Sequence, residues 1–204
     1  MKNKGFTLIE LLVVLALIAI LASVLIVIIR PAEIFKRGRD AQRQGDLRNL
    51  SSAIDAYIAE RAQNVSLEWL PSCTVLRFSL STTTVLQGWP ATSSASSTLN
   101  TVTGSISQAV NGTGWIPLNF SAVSILNLPS LPLDPRNGQT GIVNGTTTVF
   151  AYSFACHNSD NESYELAAKL EGPTSTMAQD GGNKNCDTAV NCLYEFGPGK
   201  ANIY

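Results

Sequence analysis

The amino-acid sequence predicts an α+β fold in which one long N-terminal helix packs against a small antiparallel β-sheet. Residues 6–63 carry an apolar run and then an amphipathic pattern with three- and four-residue spacings, which is typical of helix. Farther along, Thr147–Phe154 and Glu162–Leu170 alternate in the way expected of two strands of a hairpin. The chain has 204 residues, and the part beyond the helix is long enough for one globular domain.

The apolar segment runs from Phe6 to Ile29 and contains one charged residue, Glu10. A helix of about 24 residues is about 36 Å long, which is enough to cross a hydrocarbon core of about 30 Å. The run is longer than the apolar core of a secretory signal peptide, about 7–15 residues. A plain membrane anchor is the stronger alternative. It does not explain Gly5-Phe6 followed by Glu10, because an acid deep in a membrane costs roughly 2.5–3.5 kcal/mol.

The next segment predicts an amphipathic continuation of the same helix to about Gln63, with a kink at Pro31, which cannot donate a helical hydrogen bond. The apolar positions of this helix are Ile34, Phe35, Gly38, Ala41, Leu47, Leu50, Ile54, Tyr57 and Ile58. The charged positions, interpreted as a solvated face, are Arg39, Asp40, Arg43, Asp46, Arg48, Asp55 and Glu60. The basic residues from Arg30 to Arg48 suit contact with phospholipid headgroups or with acidic neighbours in a filament, and a plain solvated helix face explains them equally well.

The remainder of the chain is rich in short strand-like runs and in Gly, Pro, Ser and Thr. Strand-like pieces are Thr74–Leu80, Thr83–Leu86 and a final Cys192–Phe196. Ala91–Thr113 predicts a surface loop, with edge strands as an alternative. Leu131–Gly138 is a turn by its composition, because Pro, Asn and Gly each favour particular backbone angles.

The run Lys4-Gly5-Phe6-Thr7-Leu8-Ile9-Glu10 at the head of an apolar helix resembles the signature of type IV prepilins, which include the pseudopilins of type II secretion. The resemblance implies a pilin-like fold and a prepilin peptidase that cuts between Gly5 and Phe6, followed by methylation of the new Phe6 amine. It also implies that Glu10 pairs with the Phe6 amine of a neighbouring subunit in a filament. An ion pair in a medium of low dielectric recovers much of its desolvation cost.

The predicted organisation is a leader at 1–5, a hydrophobic transmembrane and assembly helix at 6–30, its amphipathic continuation at 31–63 and a β-rich globular domain at 64–204. The resemblance implies a single-pass precursor in the inner membrane with its C-terminal domain outside, and then a periplasmic or extracellular filament. The implied partners are copies of this chain or related pilins, the prepilin peptidase, the inner-membrane assembly machinery and the membrane.

All four cysteines lie beyond the apolar segment, where export would place them in an oxidising compartment that favours disulfides. Of the three possible pairings, proximity in sequence favours Cys186–Cys192, which leaves Cys73–Cys156. The loop 171–191 has a second interpretation, because the corresponding loop of major pseudopilins binds calcium. Its candidate Ca²⁺ ligands are the oxygen donors Asp180, Asn183 and Asp187, with Asn185 between them. A disulfide brace of this loop is favoured, and no other cofactor is predicted.

The composition gives no indication of a nucleic-acid partner or of an enzyme. The net charge is −1, whereas nucleic-acid-binding domains usually carry a clear basic excess. His157 is the single histidine, and the sequence has no Gly-rich phosphate loop, metal-ligating His pair or GxSxG motif. The predicted function is a structural subunit of a type IV pilus-like filament. The alternatives are a major-type pseudopilin of a type II secretion or DNA-uptake system, and a membrane-anchored extracellular binding module that never polymerises.

Overall fold

A computed structural model of the chain describes residues 5–63, 75–83, 86–89, 101–123, 126–143, 145–156, 163–172 and 192–198. It confirms the predicted fold class, a long helical N-terminal region followed by a small β-sheet with mostly antiparallel pairing. The chain divides into two compact units, residues 1–38 and residues 39–204.

Helix α1 spans Leu8–Ile29 and begins two residues later than the predicted start at Phe6. Its segment Leu8–Ile26, 19 residues long, is long and apolar enough to cross a membrane. The large apolar side chains of that segment are exposed, with Leu8 at 82% and Ile20 at 62% of their maximal surface. The predicted apolar helix is therefore present, and the structure leaves its whole described surface open.

The kink predicted at Pro31 takes the form of a break in the helix at Arg30, one residue earlier. Arg30 adopts a left-handed conformation with φ 46° and ψ 70°, and a second helix, α2, begins at Pro31 and ends at Gln63. A residue that precedes proline is disfavoured in the right-handed helical region, so the interruption falls one residue before the proline itself. Pro31 is well suited to the first position of a helix, because a backbone N–H at that position would have no acceptor within the helix.

The apolar face predicted for α2 is buried in its second half only. Leu47, Leu50, Ile54 and Tyr57 are almost completely buried. By contrast, the Ile34 and Phe35 side chains are 55% and 67% exposed. The interpretation of the charged positions as one solvated face is wrong for Asp40 and Arg43, which are buried.

Within the described residues, the main sheet consists of β1 (Val75–Phe78), β2 (Thr101–Gly104), β5 (Tyr152–Cys156), β6 (Tyr164–Ala168) and β7 (Tyr194–Phe196). These five strands lie in the order β2-β1-β5-β6-β7. Neighbouring strands are antiparallel except for β1 and β2, which run parallel. A separate two-stranded hairpin joins β3 (Thr140–Val143) to β4 (Thr146–Val149), and Phe120–Ala122 forms one turn of 3₁₀-helix.

Several strand predictions are confirmed and others are corrected. The β5–β6 hairpin, β1 and β7 lie where the alternation predicted strands, and β2 is an edge strand within the predicted loop Ala91–Thr113. Thr147–Phe154 is two strands rather than one, because the chain leaves the β3–β4 hairpin at Val149 and enters the main sheet at Tyr152. At Thr83–Leu86, the described residues Thr83 and Leu86 lie in no strand, and β3 was missed.

The main sheet is buried on both of its faces. One face packs against α2, where Leu50, Ile54 and Tyr57 join Phe154 and Leu166 in a single apolar cluster. The opposite face carries a second cluster, which contains Leu76, Phe78, Trp89, Ala151, Ala155, Ala167 and Leu193. Every residue of β5 and β6 is consequently buried.

Candidate functional site

A local hydrogen-bond network fixes the start of α1. Thr7 is the N-cap residue in an extended conformation, and its Oγ1 accepts a hydrogen bond of 3.3 Å from the Glu10 backbone N–H. The Thr7 backbone N–H and hydroxyl donate in return to Glu10 Oε2, at 3.2 and 2.9 Å. This reciprocal arrangement is a capping box, and it holds the carboxylate at the positive end of the helix dipole.

The backbone on either side of the predicted cleavage point is accessible. Gly5 and Phe6 precede the helix, and the Phe6 side chain is 84% exposed. A Cβ added at Gly5 would meet no atom of the described residues within 4 Å, so the packing of that part of the chain does not require glycine there. A protease binds its substrate as accessible, non-helical peptide, and the Gly5-Phe6 bond satisfies that condition.

Comparison with known families identifies the same segment. Residues 1–26 match the prokaryotic N-terminal methylation motif. Together with the apolar helix, this match is consistent with a type IV prepilin-like protein and with a membrane-anchored precursor. The match ends within α1 and does not extend to the β-rich part. No curated protein and no solved structure matches the chain significantly.

Among the described residues of the β-rich unit, the densest polar feature is a group of charges around Arg43, termed here the Arg43 cluster. Its members are Arg39, Asp40, Arg43, Asp134, Arg136 and Glu171. The Arg43 side chain is completely buried and makes a two-pronged contact with Asp134, at 2.7 and 2.9 Å. Its Nη1 also donates to Asp40, at 2.7 Å, and to Glu171, at 3.0 Å. The Arg43 guanidinium therefore connects helix α2, the 131–138 turn and the chain just beyond β6.

The Arg43 cluster also anchors the chain as it leaves β6. The Asp40 carboxylate accepts hydrogen bonds from the backbone N–H groups of Glu171, at 2.9 and 3.1 Å, and of Gly172, at 2.7 Å. The guanidinium groups of Arg43 and Arg136 lie 4.8 and 4.6 Å from the ring centre of Phe150. Such contacts add cation–π attraction to the ion pairs.

The electrostatics of the cluster favour its charged forms. Burial alone would raise the pKa of Glu171, but hydrogen bonds from Arg39 and Arg43 outweigh it and lower this pKa to about 2. Burial alone would lower the pKa of Arg43, and its bonds to Asp134, Asp40 and Glu171 raise it instead. Breaking one partner of a buried group of charges leaves another charge uncompensated, which costs about 3–5 kcal/mol.

Sequence reasoning missed the Arg43 cluster, although two signals for it are present. Asp40 and Arg43 are spaced to pair on one helix face, and Asp134 lies in the turn whose backbone it organises. No local sequence pattern predicts that Arg43 pairs with Asp134 and Glu171, which lie 91 and 128 residues farther along the chain.

A second buried polar group lies on the sheet face opposite α2. The Lys169 ammonium donates to the Cys192 carbonyl at 2.7 Å and lies 6.0 Å from the ring centre of Trp89. Burial lowers the pKa of Lys169 to about 7, with the Glu195 carboxylate opposing the shift. The predicted site residues do not include these groups, and the alternation in β6 gave no sign that its polar side chains would be buried.

The structure describes two of the four cysteines. Cys156 ends β5, Cys192 precedes β7, both are buried, and neither is a free cysteine. Cys156 pairs with Tyr164, whereas Tyr194 pairs with Ala168, so the two cysteines lie toward opposite ends of β6. A separation of four residues along a strand is about 13 Å, and a disulfide needs Cα atoms within about 7 Å. A direct Cys156–Cys192 bond is therefore excluded.

The other predicted site residues fall outside the described part of the chain. They are Cys73, Cys186, Asp180, Asn183 and Asp187. The disulfide pairings and the calcium site stay predictions. Within the described residues, no group of three or more His, Cys, Asp or Glu side chains is arranged to hold a metal ion.

Proposed function

We propose that this chain is a structural subunit of a type IV pilus-like filament, made as a membrane-anchored precursor. In this proposal prepilin peptidase cuts between Gly5 and Phe6, the new Phe6 amine is methylated, and the subunits polymerise through α1. The observation that carries the proposal is the methylation motif at residues 1–26, which coincides with an apolar helix whose large side chains are exposed. About 20 exposed apolar residues need lipid before assembly and other helices afterwards.

The role proposed for Glu10 is to change partners during this process. In the precursor its carboxylate caps α1 through Thr7. Cleavage would create a cation at Phe6, one residue before the cap, and a neighbouring subunit would present the same cation to Glu10. A charge-assisted bond of this kind is stronger than a bond to a neutral backbone N–H, which favours the exchange in a medium without water.

Processing is tested by incubating the full-length precursor with prepilin peptidase and S-adenosylmethionine as the methyl donor, and weighing the product by intact mass spectrometry. We expect loss of residues 1–5 and addition of one methyl group. Gly5→Leu should block cleavage without changing the circular dichroism spectrum, because a Cβ added at Gly5 meets none of the described atoms within 4 Å. Gly38→Leu is the matched control, since that glycine also lies in open space. Cleavage of Gly5→Leu at the wild-type rate would contradict the proposed processing site.

Polymerisation is tested by electron microscopy of sheared cell-surface and periplasmic fractions. Glu10→Gln is the decisive variant, because glutamine can still cap the helix but cannot form an ion pair. We expect processing to continue and filaments to be lost. Glu33→Gln, which removes an exposed acid from α2, should leave filaments intact. Normal filaments from Glu10→Gln would rule out the charge pairing, and a processed chain without filaments in the wild type would favour the anchored binding module.

The disulfide proposal is that each described cysteine pairs with one of the two that lie outside the described residues. The exclusion of Cys156–Cys192 removes one of the three possible pairings. Proximity in sequence then favours Cys186–Cys192 with Cys73–Cys156. Non-reducing peptide mapping distinguishes this pairing from Cys73–Cys192 with Cys156–Cys186.

A further inference from the structure

The segment 30–38, between the membrane-length helix and the β-rich unit, carries an apolar face that nothing in its own unit covers. The Ile34 and Phe35 side chains are 55% and 67% exposed, although they are large and apolar. Adjacent exposed apolar side chains of this size belong to an interaction surface more often than they are exposed by chance.

The same segment is amphipathic at helical spacing. With 3.6 residues per turn, Ile34 and Phe35 share one half of the helix with Pro31, Ala32 and Gly38. The other half carries Glu33, Lys36 and Arg37. Lys36 forms a partly exposed ion pair of 2.9 Å with Glu33, and the exposed Arg30 and Arg37 form no described ion pair. The segment therefore has a net positive charge beside an apolar face.

Its position along the chain places this face at the depth of lipid headgroups. Helix α1 has 22 residues and is about 33 Å long, which fills a hydrocarbon core of about 30 Å and leaves Arg30 at its boundary. Phe35 is five residues beyond Arg30, so it lies no more than about 7.5 Å farther out. The headgroup layer of one leaflet is about 5–7 Å thick. Both apolar side chains thus fall within or at the edge of that layer.

We propose that residues 30–38 form a lipid-binding segment that lies in the membrane interface of the precursor. Ile34 and Phe35 enter the boundary between headgroups and acyl chains, and Arg30, Lys36 and Arg37 contact anionic lipid phosphates. Short amphipathic segments with a basic polar face bind membranes in this way. The interruption at Arg30 matters here, because the direction of the apolar face of α2 is then not fixed by a continuous helix running on from α1. The proposal rests on the membrane-anchored precursor proposed above.

The test uses the full-length precursor with the photoreactive residue p-benzoylphenylalanine at position 35, or at position 33 as the control on the polar half. The chain is placed in nanodiscs of phosphatidylcholine alone or of a roughly three-to-one mixture with phosphatidylglycerol. After illumination, mass spectrometry separates lipid adducts from cross-links to a second copy. We expect the yield of lipid adducts at position 35 to exceed that at position 33 by about threefold or more.

The charges are tested with Lys36→Gln and Arg37→Gln combined. This variant should lower the adduct yield at position 35 severalfold in the mixture and leave it unchanged in phosphatidylcholine alone. Equal yields at positions 33 and 35, or cross-links at position 35 that are mainly to a second copy, would overturn the lipid-binding segment. If the chain enters nanodiscs and is processed normally, that failure leaves the filament proposal standing. Failure to enter the nanodiscs would contradict both.

Discussion

Helix α1 and the part of α2 beyond Gly38 reverse the usual relation between polarity and burial. Helix α1 is apolar almost throughout, yet its large side chains are exposed. In α2 beyond Gly38, charged residues are frequent, yet Arg43 is completely buried and Asp40 is almost so. The exposed surface of α1 is therefore apolar, whereas charged side chains lie at the buried centre of the packing of α2 in the β-rich unit.

The difference has an energetic basis. Exposed apolar surface is unfavourable in water by about 25 cal/mol per Å², so α1 is suited to lipid or to other helices. Buried charges are tolerated only when each has partners, and the Arg43 cluster supplies three acids for three arginines. Each region depends on its partner, which is external for α1 and internal for α2. Four predictions address that comparison.

Removal of the central cation should have the largest effect. Arg43→Met is expected to lower the free energy of unfolding by about 3–5 kcal/mol, because Asp134 and Asp40 would remain buried without their partner. Urea unfolding of the full-length chain in detergent micelles, followed by near-UV circular dichroism, measures this. Arg48→Met on the exposed side of the same helix should change the value by less than about 0.5 kcal/mol. Equal effects of the two variants would contradict the central role of Arg43.

The second-largest effect is expected in the pH dependence of stability and comes from the Glu171 carboxylate. Its folded-state pKa of about 2 lies below the ordinary value of 4.5. Its ionised form therefore contributes to stability above pH 4.5, and that contribution is lost as the pH falls from 4.5 toward 2. Thermal unfolding across this range should show a fall in Tm for the wild type. Glu171→Gln should start at a lower Tm and fall less steeply, and parallel curves would contradict the assignment.

A smaller effect is expected at the contact between α2 and β5. The Tyr152 hydroxyl donates to Asp46 at 2.7 Å, and burial raises the pKa of Asp46 against the effect of that bond. Tyr152→Phe should cost about 2 kcal/mol in urea unfolding, since a bond to a charged acceptor is lost. Tyr194→Phe is the control, because its hydroxyl makes no hydrogen bond within the described part of the chain. A loss from Tyr194→Phe as large as that from Tyr152→Phe would show that the effect is not specific to Asp46.

The smallest effect concerns the start of α1. Thr7→Val removes the hydroxyl of the capping box and should cost about 1 kcal/mol of local helix stability. Hydrogen exchange in micelles should then be faster at the Leu8, Ile9 and Glu10 amides. Thr7→Ser, which keeps the hydroxyl, should exchange at nearly the wild-type rate. Unchanged exchange in Thr7→Val would mean that the cap does not control this end of the helix.

The sequence was sufficient for the features that depend on local order. The apolar run, the end of α2 at Gln63 and the β5–β6 hairpin follow from spacing and alternation over a few residues, and the structure has them. Pro31 predicts a kink, and the break at Arg30 follows from the restriction that a proline places on the residue before it.

Features that depend on long-range contacts were not predictable in this way. A charged residue on a helix is predicted to be solvated unless its partners are known. Two partners of Arg43, Asp134 and Glu171, lie 91 and 128 residues away. The split of Thr147–Phe154 has the same origin, because it is set by which sheet each half joins. At the N-terminus, the sequence predicts a partner for Glu10 in another subunit, and the structure shows that Thr7 of the same chain is also a partner.

Because the residues of the Arg43 cluster are far apart in sequence, the cluster can form only late in biosynthesis. A ribosome completes Arg43 long before Asp134 and longer still before Glu171, which is 128 residues farther along. Until then Asp40 is the one acid of the Arg43 cluster that has already been made. The β-rich unit can complete its core only after most of the chain has been made, so any quality control that recognises an unfinished subunit has a long interval in which to act.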